Sequence, residues 1–271
     1  MFLFHGLPGS RLAIPELWLE EPMKVRVIAP DRPGMGLSTF QPGRSFTDWA
    51  DDVRQLADSL AIERFLVAGI SGGGPHALAV AYGLPDRVTA AGSIAGAGPI
   101  DTSSALEGIS RGNRLLLKLA RRAPAVVWLL ALPNARLAKR RPGKVFERAA
   151  GGKGLPAADR EAMASPRLRE VSIAAAPEAF RQGVRGFVHE IRMYVHPWGF
   201  DVATLKPPVC IWHGAEDSNV PLALAQGLAE RIPNSSLTIY DGEGHLIAPK
   251  HWEEILTTLV TRAALGSSHA L

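Results

Sequence analysis

Gly69-Ile70-Ser71-Gly72-Gly73 stands where an apolar run, "RFLVAG", gives way to a small-residue helical pattern, "PHALAVAYGLP". A serine on so sharp a strand-to-helix turn is held in strained backbone, and its neighbours must be small for the chain to fold back. Gly69, Gly72 and Gly73 meet that need. The helix expected from Gly74-Pro75 onward aims its N-terminal N–H groups and positive dipole end at the serine. A serine hydroxyl becomes a nucleophile only with a base beside it and a group that orients the base. Asp217 in "WHGAEDSNVP" and His245 in "YDGEGHL" each follow an apolar, strand-like run. In those roles His245 takes the proton of Ser71, and Asp217 orients the imidazole and stabilises its charged form.

The same glycines fit a second chemistry. Gly72-Gly73-Gly74-Pro75-His76-Ala77 matches G-x-G-x-x-G/A, but a dinucleotide site also needs an acid about 20 positions on. There the chain has "SIAGAGP", with no acid before Asp101 and no Gly-Lys-Ser/Thr after any glycine cluster. "HEIRM", His189 to Met193, begins like a zinc-binding helix and has Met193 where the second histidine should stand. No cofactor and no metal are expected. His5 is read as shaping its own loop, His76 as packed, His213 as structural, and Glu216 and Glu243 as solvent-facing charge. Asp31 in "PDRPGMGLS" ties loops together through backbone hydrogen bonds. The single cysteine, Cys210, falls in the apolar run "PPVCIWHG" and reads as a small core residue.

These candidates must be positioned by elements, and the pattern supplies them. "MFLF", "VRVIA" (Val25 to Ala29), "RFLVAG" and "VTAAGSIAG" read as strands; "SFTDWADDVRQLADSLAI" reads as a helix with Trp49, Val53, Leu56 and Leu60 on one face. Strands apolar throughout suit a parallel sheet covered on both faces. From Thr102 to Asp201 only helical patterns occur. Strands then return as "PPVCIWHG" and "SSLTIYDGEGH", with a helix "PLALAQGLAERI" between them. A closing helix, "WEEILTTLVTRAAL", leads to a loose tail, "GSSHAL". The expected division is an α/β core over 1–101 and 202–271, interrupted by a helical insertion over 102–201.

At 271 residues, with 46% hydrophobic and 21% charged residues and a net charge of +4, the chain has an ordinary globular composition. One cysteine excludes an internal disulfide and fits a reducing compartment. The N-terminus lacks the charged region of a signal peptide. No apolar run approaches the ~18 residues of a membrane span. A cytoplasmic location follows as an expectation. Between Arg111 and Arg148 stand eleven Lys or Arg and one acid, Glu147. A solvated face is the commonest use of such a stretch. Attraction of anionic substrates, or weak association with an anionic membrane surface, stays open, whereas no module for nucleic acid accompanies it.

With "FLFHGLPGS", "PDRPGMGLS", "VAGISGGGP", "HGAEDSNVP" and "GEGHL" in this order, the chain resembles the α/β-hydrolase superfamily, in its serine-nucleophile branch with a helical cap. The resemblance implies a mostly parallel sheet flanked by helices, the helical insertion as the cap, and catalytic residues Ser71, Asp217 and His245. It places the oxyanion hole at the backbone N–H groups of Leu7 and Gly72. It also implies strands ahead of the "HG" strand, which here begins at Met1. A bare sheet edge of that kind leaves a homo-oligomer open. The chemistry implied is hydrolysis of a small to medium apolar carboxylic ester through an acyl-enzyme on Ser71. Leu115 to Leu117, Val126 to Leu130, Phe180, Phe187 and Trp198 are candidates to line its pocket. A non-catalytic binding protein of the same fold, a carbon–carbon bond hydrolase and a cofactor-free perhydrolase remain as alternatives.

Overall fold

In a computed structural model the described residues are 1–14, 25–100, 107–152 and 154–267. Five strands, β1 (Phe2–Phe4), β2 (Phe65–Ile70), β3 (Val88–Ile94), β4 (Val209–Gly214) and β5 (Ser235–Tyr240), lie side by side in that order. Every neighbouring pair is parallel. Ten helices accompany them among the described residues: α1 (Phe46–Ser59), α2 (Gly74–Gly83), α3 (Arg111–Arg122), α4 (Pro124–Arg140), α5 (Pro142–Ala150), α6 (Ala157–Ala164), α7 (Pro166–Ala179), α8 (Arg185–Tyr194), α9 (Leu222–Arg231) and α10 (Ala248–Ser267).

The period of two along each strand divides the core. Phe2, Phe4, Val67, Val209 and Ile211 face one side, where they meet Trp49 and Val53 of α1, Leu78 of α2 and Leu228 of α9. Leu3, Ala68, Cys210 and Trp212 face the other, against Trp252, Ile255 and Leu259 of α10. Both faces of the parallel sheet are thereby covered, which is why its strands are apolar throughout. Helix α1 starts on a capping box: Ser45 Oγ accepts the Asp48 N–H, and the Asp48 carboxylate accepts the Ser45 N–H at 2.6 Å. Its buried face is Phe46, Trp49, Ala50, Val53 and Ala57, with Leu60 just beyond its end.

Two expectations are corrected. The run Val25 to Ala29 makes only one parallel bridge, Ile28 with Phe2, held by Leu3 N–H to Ile28 O and Ile28 N–H to Met1 O, both 2.9 Å. Its backbone meets β1 only around Ile28, so the alternating apolar pattern is not matched by a ladder. Helix α10 takes in Gly266 and Ser267, which were expected in the tail, while the non-helical φ of −109° at His251 sets off its first turn and leaves the main helix starting at Trp252, as expected. The chain still departs from β1 toward residues 25–29 on one side and returns as β2 on the other. That reversal opens a crevice beyond the C-terminal strand ends.

Helices α3 to α8 all fall between β3 and β4; α3, α4, α7 and α8 share an apolar cluster that includes Val127, Ala131, Ala138, Ala179, Val188 and Ile191, and Val145 of α5 packs against it. Leu115, Leu129 and Leu130 do not join it and are 58%, 59% and 56% exposed. The expected start of this insertion at Thr102 lies outside the described residues, as does the rest of the expected tail "GSSHAL" after Ser267. No helix among the described residues is long and apolar enough to cross a membrane.

Candidate active site

Ser71 follows β2 directly, in a turn of 3-10 helix, Ser71–Gly73, that leads into α2. Its φ of +54° lies in the left-handed region, which costs a residue with a side chain roughly 1–3 kcal/mol. The glycines around it are required by close approach. A Cβ on Gly69 would overlap the Gly73 carbonyl, and one on Gly73 would overlap the carbonyl of Phe4 in β1. The turn is pinned from behind, since Gly72 O accepts Tyr194 O–H at 2.8 Å and His76 Nδ1–H at 2.9 Å.

His245, in the loop between β5 and α10, places Nε2 2.9 Å from Ser71 Oγ and Nδ1 2.7 Å from Asp217 Oδ2. Asp217 lies beyond the end of β4, with a buried carboxylate. Its other oxygen, Oδ1, accepts the Asn219 and Val220 N–H groups at 2.8 and 2.9 Å. Burial works to raise its pKa, but the imidazole charge, its hydrogen bond and the Val220 N–H prevail and hold the carboxyl below its ordinary range. Burial likewise works to lower the His245 pKa, and the Asp217 charge and hydrogen bond reverse it, so His245 stands above 6.5. Of the five residues named from the sequence, Ser71, Asp217 and His245 form one hydrogen-bonded chain. Leu7 and Gly72 join Ser71 and His245 in lining a cavity of about 390 Å³.

The other histidines weighed from the sequence are held by their own partners. His5 Nε2 accepts the Arg32 N–H at 3.3 Å while Nδ1–H donates to Gly6 O at 2.8 Å, which shapes the loop before Leu7. His213 donates to Val220 O at 2.7 Å. His189 bonds Arg44 O, and no cluster among the described residues could hold a metal ion. Asp31 accepts the Arg11 and Leu37 N–H groups, as expected, and also pairs with the Arg11 guanidinium at 2.6 Å. Glu216 is exposed, but Glu243 is buried against Lys250 rather than facing solvent.

The expected pocket lining needs sorting. Leu116, Leu117 and Phe187 do line the cavity at Ser71. Leu115, Trp128, Leu129 and Leu130 point to solvent, and Trp198 packs into the core beside Phe46.

Two acids that the sequence did not single out matter here. Asp159 of α6, 2% exposed, accepts the His245 N–H at 2.9 Å and the Leu246 N–H at 2.8 Å. Glu190 of α8 forms a two-point pair with Arg32, at 2.7 and 2.8 Å, while Arg32 also donates to the carbonyls of His5 and Gly6. Burial opposes the Arg32 charge, and the Glu190 carboxylate more than offsets it, leaving its pKa raised. Each acid lies in the insertion, far in sequence from the loop it holds, and Glu190 falls in the "HEIRM" run that pointed to a different chemistry. No local signal marked the role of either one.

A mostly parallel sheet with a strained serine turn, a histidine and an acid at its C-terminal edge defines a class, and the sequence profile of that class agrees. The profile of the alpha/beta hydrolase fold family matches residues 1–251, and the chain belongs to this family. It is similar to the 2-hydroxymuconate semialdehyde hydrolase of Pseudomonas putida, 27% identical over 233 residues, 84% of this chain and 73% of that protein. Among solved structures it resembles a thermophilic esterase from Thermogutta terrifontis, with a TM-score of 0.66 and 21% identity over 97% of this chain and 89% of that one. It also resembles a structure from a study of carboxylesterases of Nitrososphaera gargenis, with a TM-score of 0.68 and 19% identity over 99% and 91%. These structural likenesses speak for the fold; family and relatives together support hydrolase as the class of chemistry.

Proposed function

We propose that the chain is a serine hydrolase of apolar carboxylic esters, working through an acyl-enzyme on Ser71. The observation that carries this reading is the unbroken chain Ser71 Oγ, His245 and Asp217, at 2.9 and 2.7 Å. Ser71 Oγ attacks the ester carbonyl carbon as its proton passes to His245 Nε2. The N–H groups of Leu7 and Gly72 hold the oxyanion, the term that is commonly largest in such sites. Collapse expels the alcohol, which takes the proton from His245. Water then attacks the acyl-enzyme with His245 again as base, and the acid leaves. Helices α3 to α8 act as the cap, and a cavity with an apolar wall of Leu116, Leu117 and Phe187 supports an apolar substrate.

Labelling with a small fluorophosphonate, together with turnover of p-nitrophenyl acetate and butyrate, tests the reading in the wild type, Ser71→Ala and His245→Ala. Wild-type labelling is expected, with kcat/KM falling roughly 10⁴-fold or more in both variants. A folded wild type that neither labels nor turns over would sink it. Turnover of 2-hydroxymuconate semialdehyde in preference to every ester would replace the ester with the substrate named for the Pseudomonas relative.

A further inference from the structure

The cavity at Ser71 is not the largest in the molecule. A second chamber of about 480 Å³ lies within the insertion, between α4, α5 and α7 and the loop Pro8 to Ala13. The two chambers share Pro8 and Phe187 as walls. The second is lined mainly by alanines and other apolar side chains: Ala131 and Ala138 from α4, Val145 from α5, Ala175, Ala176 and Ala179 from α7. Alanine at facing positions is what keeps this space open, because a larger aliphatic side chain at any one of them would fill part of it.

We propose that this second chamber receives the acyl chain of the substrate, so that the preferred esters carry straight acyl groups of about eight to twelve carbons. The proposal rests on the reading of Ser71 as nucleophile.

Three features support it. The direction fits the chemistry: the departing alcohol must lie beside His245 to receive its proton, while the acyl group stays bonded to Ser71. The second chamber meets the first at Pro8 and Phe187, on the side of Leu7, and includes none of Asp217, Asn219, Val220 or His245 in its wall. The volume fits as well. A methylene takes about the space of a water molecule, roughly 30 Å³, so about 480 Å³ accommodates the extra methylenes of a decanoyl over an acetyl group. The lining fits an aliphatic chain, for Arg148, Asn134 and Ser172 are its polar members and Arg148 and Asn134 are exposed at its rim.

The test is kcat/KM for p-nitrophenyl esters from acetate to dodecanoate, measured below aggregation of the longer esters, in the wild type, Ala176→Trp and Ala131→Phe. The two substitutions fill the chamber from different helices, and thermal melts show which variants are folded. For the wild type, each added methylene that becomes buried is expected to raise kcat/KM about fourfold, with the rise continuing to at least the octanoyl group. In a folded filling variant the ratio of decanoate to acetate is expected to fall tenfold or more.

Acetate turned over by a wild type that gains nothing beyond butyrate would overturn the chamber and leave the esterase reading standing. So would folded filling variants with an unchanged decanoate-to-acetate ratio. A wild type that hydrolyses no ester and leaves Ser71 unlabelled would overturn both.

Discussion

At Ser71 the working state is the one in which His245 is neutral, because only the free Nε2 can take a proton. Asp217 raises the His245 pKa above 6.5 against the pull of burial. Activity is therefore present above that raised pKa and lost as pH falls through it. Burial, followed by the Arg32 charge, pushes His5 and His76 well below 6.5, so neither titrates with it. A plot of kcat/KM against pH should show a single acid limb, displaced upward from an ordinary histidine. Asp159 contributes twice, through its charge and through the two N–H groups it accepts. Asp159→Ala leaves both N–H groups without that acceptor, and an unmet buried donor costs about 1–3 kcal/mol. It is expected to lower kcat about tenfold or more, leave KM nearly unchanged and move the acid limb to lower pH. Asp159→Asn keeps one acceptor and should recover part of kcat but not the limb position. An unshifted limb with unchanged kcat in the alanine variant would reduce Asp159 to a packing role.

Helices of the insertion are tied to the sheet by charge as well as by apolar contact. Helix α8 delivers Glu190 to Arg32, a pair essentially shut off from solvent. Removing one partner strands the other as an unpaired buried ion, which costs about 3–5 kcal/mol, whereas an exposed pair such as Arg54–Asp51 is worth at most about 1. Glu190→Gln is therefore expected to lower the unfolding free energy by several kcal/mol in urea titrations, although the side chain keeps its size. A loss below about 1 kcal/mol would mean that Arg32 finds another partner. Because Arg32 also holds the carbonyls of His5 and Gly6, the same change should loosen the loop that carries Leu7. The helices of the core were legible, since "SFTDWADDVRQLADSLAI" reads as α1 and Pro75 suits the first turn of α2, whereas those of the insertion were expected only as one helical region without individual bounds. The run Val25 to Ala29 was not, because its alternation looks like a strand while pairing depends on how closely its backbone follows β1 in the fold.

Across the whole molecule, the insertion presents two different faces. Leu116, Leu117 and Phe187 turn toward Ser71, while Arg111, Leu115, Lys118 and Arg122 repeat at helical spacing on the exposed side of α3. Leu129 and Leu130 add exposed apolar surface on α4. Apolar and cationic groups side by side suit an anionic lipid surface. Weak flotation with phosphatidylserine-containing vesicles is expected, absent with neutral vesicles, reduced by salt and reduced again in Leu129→Ser/Leu130→Ser. Equal binding to neutral vesicles would leave the cations without a part. The sequence by itself determined the parallel sheet, the turn at Ser71 and the three residues of the hydrogen-bonded chain. Each of those is written in local pattern: apolar runs, glycines at a forced turn, and polar residues just past strand ends. Only the tertiary structure decided that Asp159 and Glu190 come from the insertion to hold His245 and Arg32, which face of α3 stays in solvent, and that a second chamber opens beside the first. Those depend on how helices distant in sequence pack against the sheet, and the residues involved look like any others along a helix until that packing brings them together.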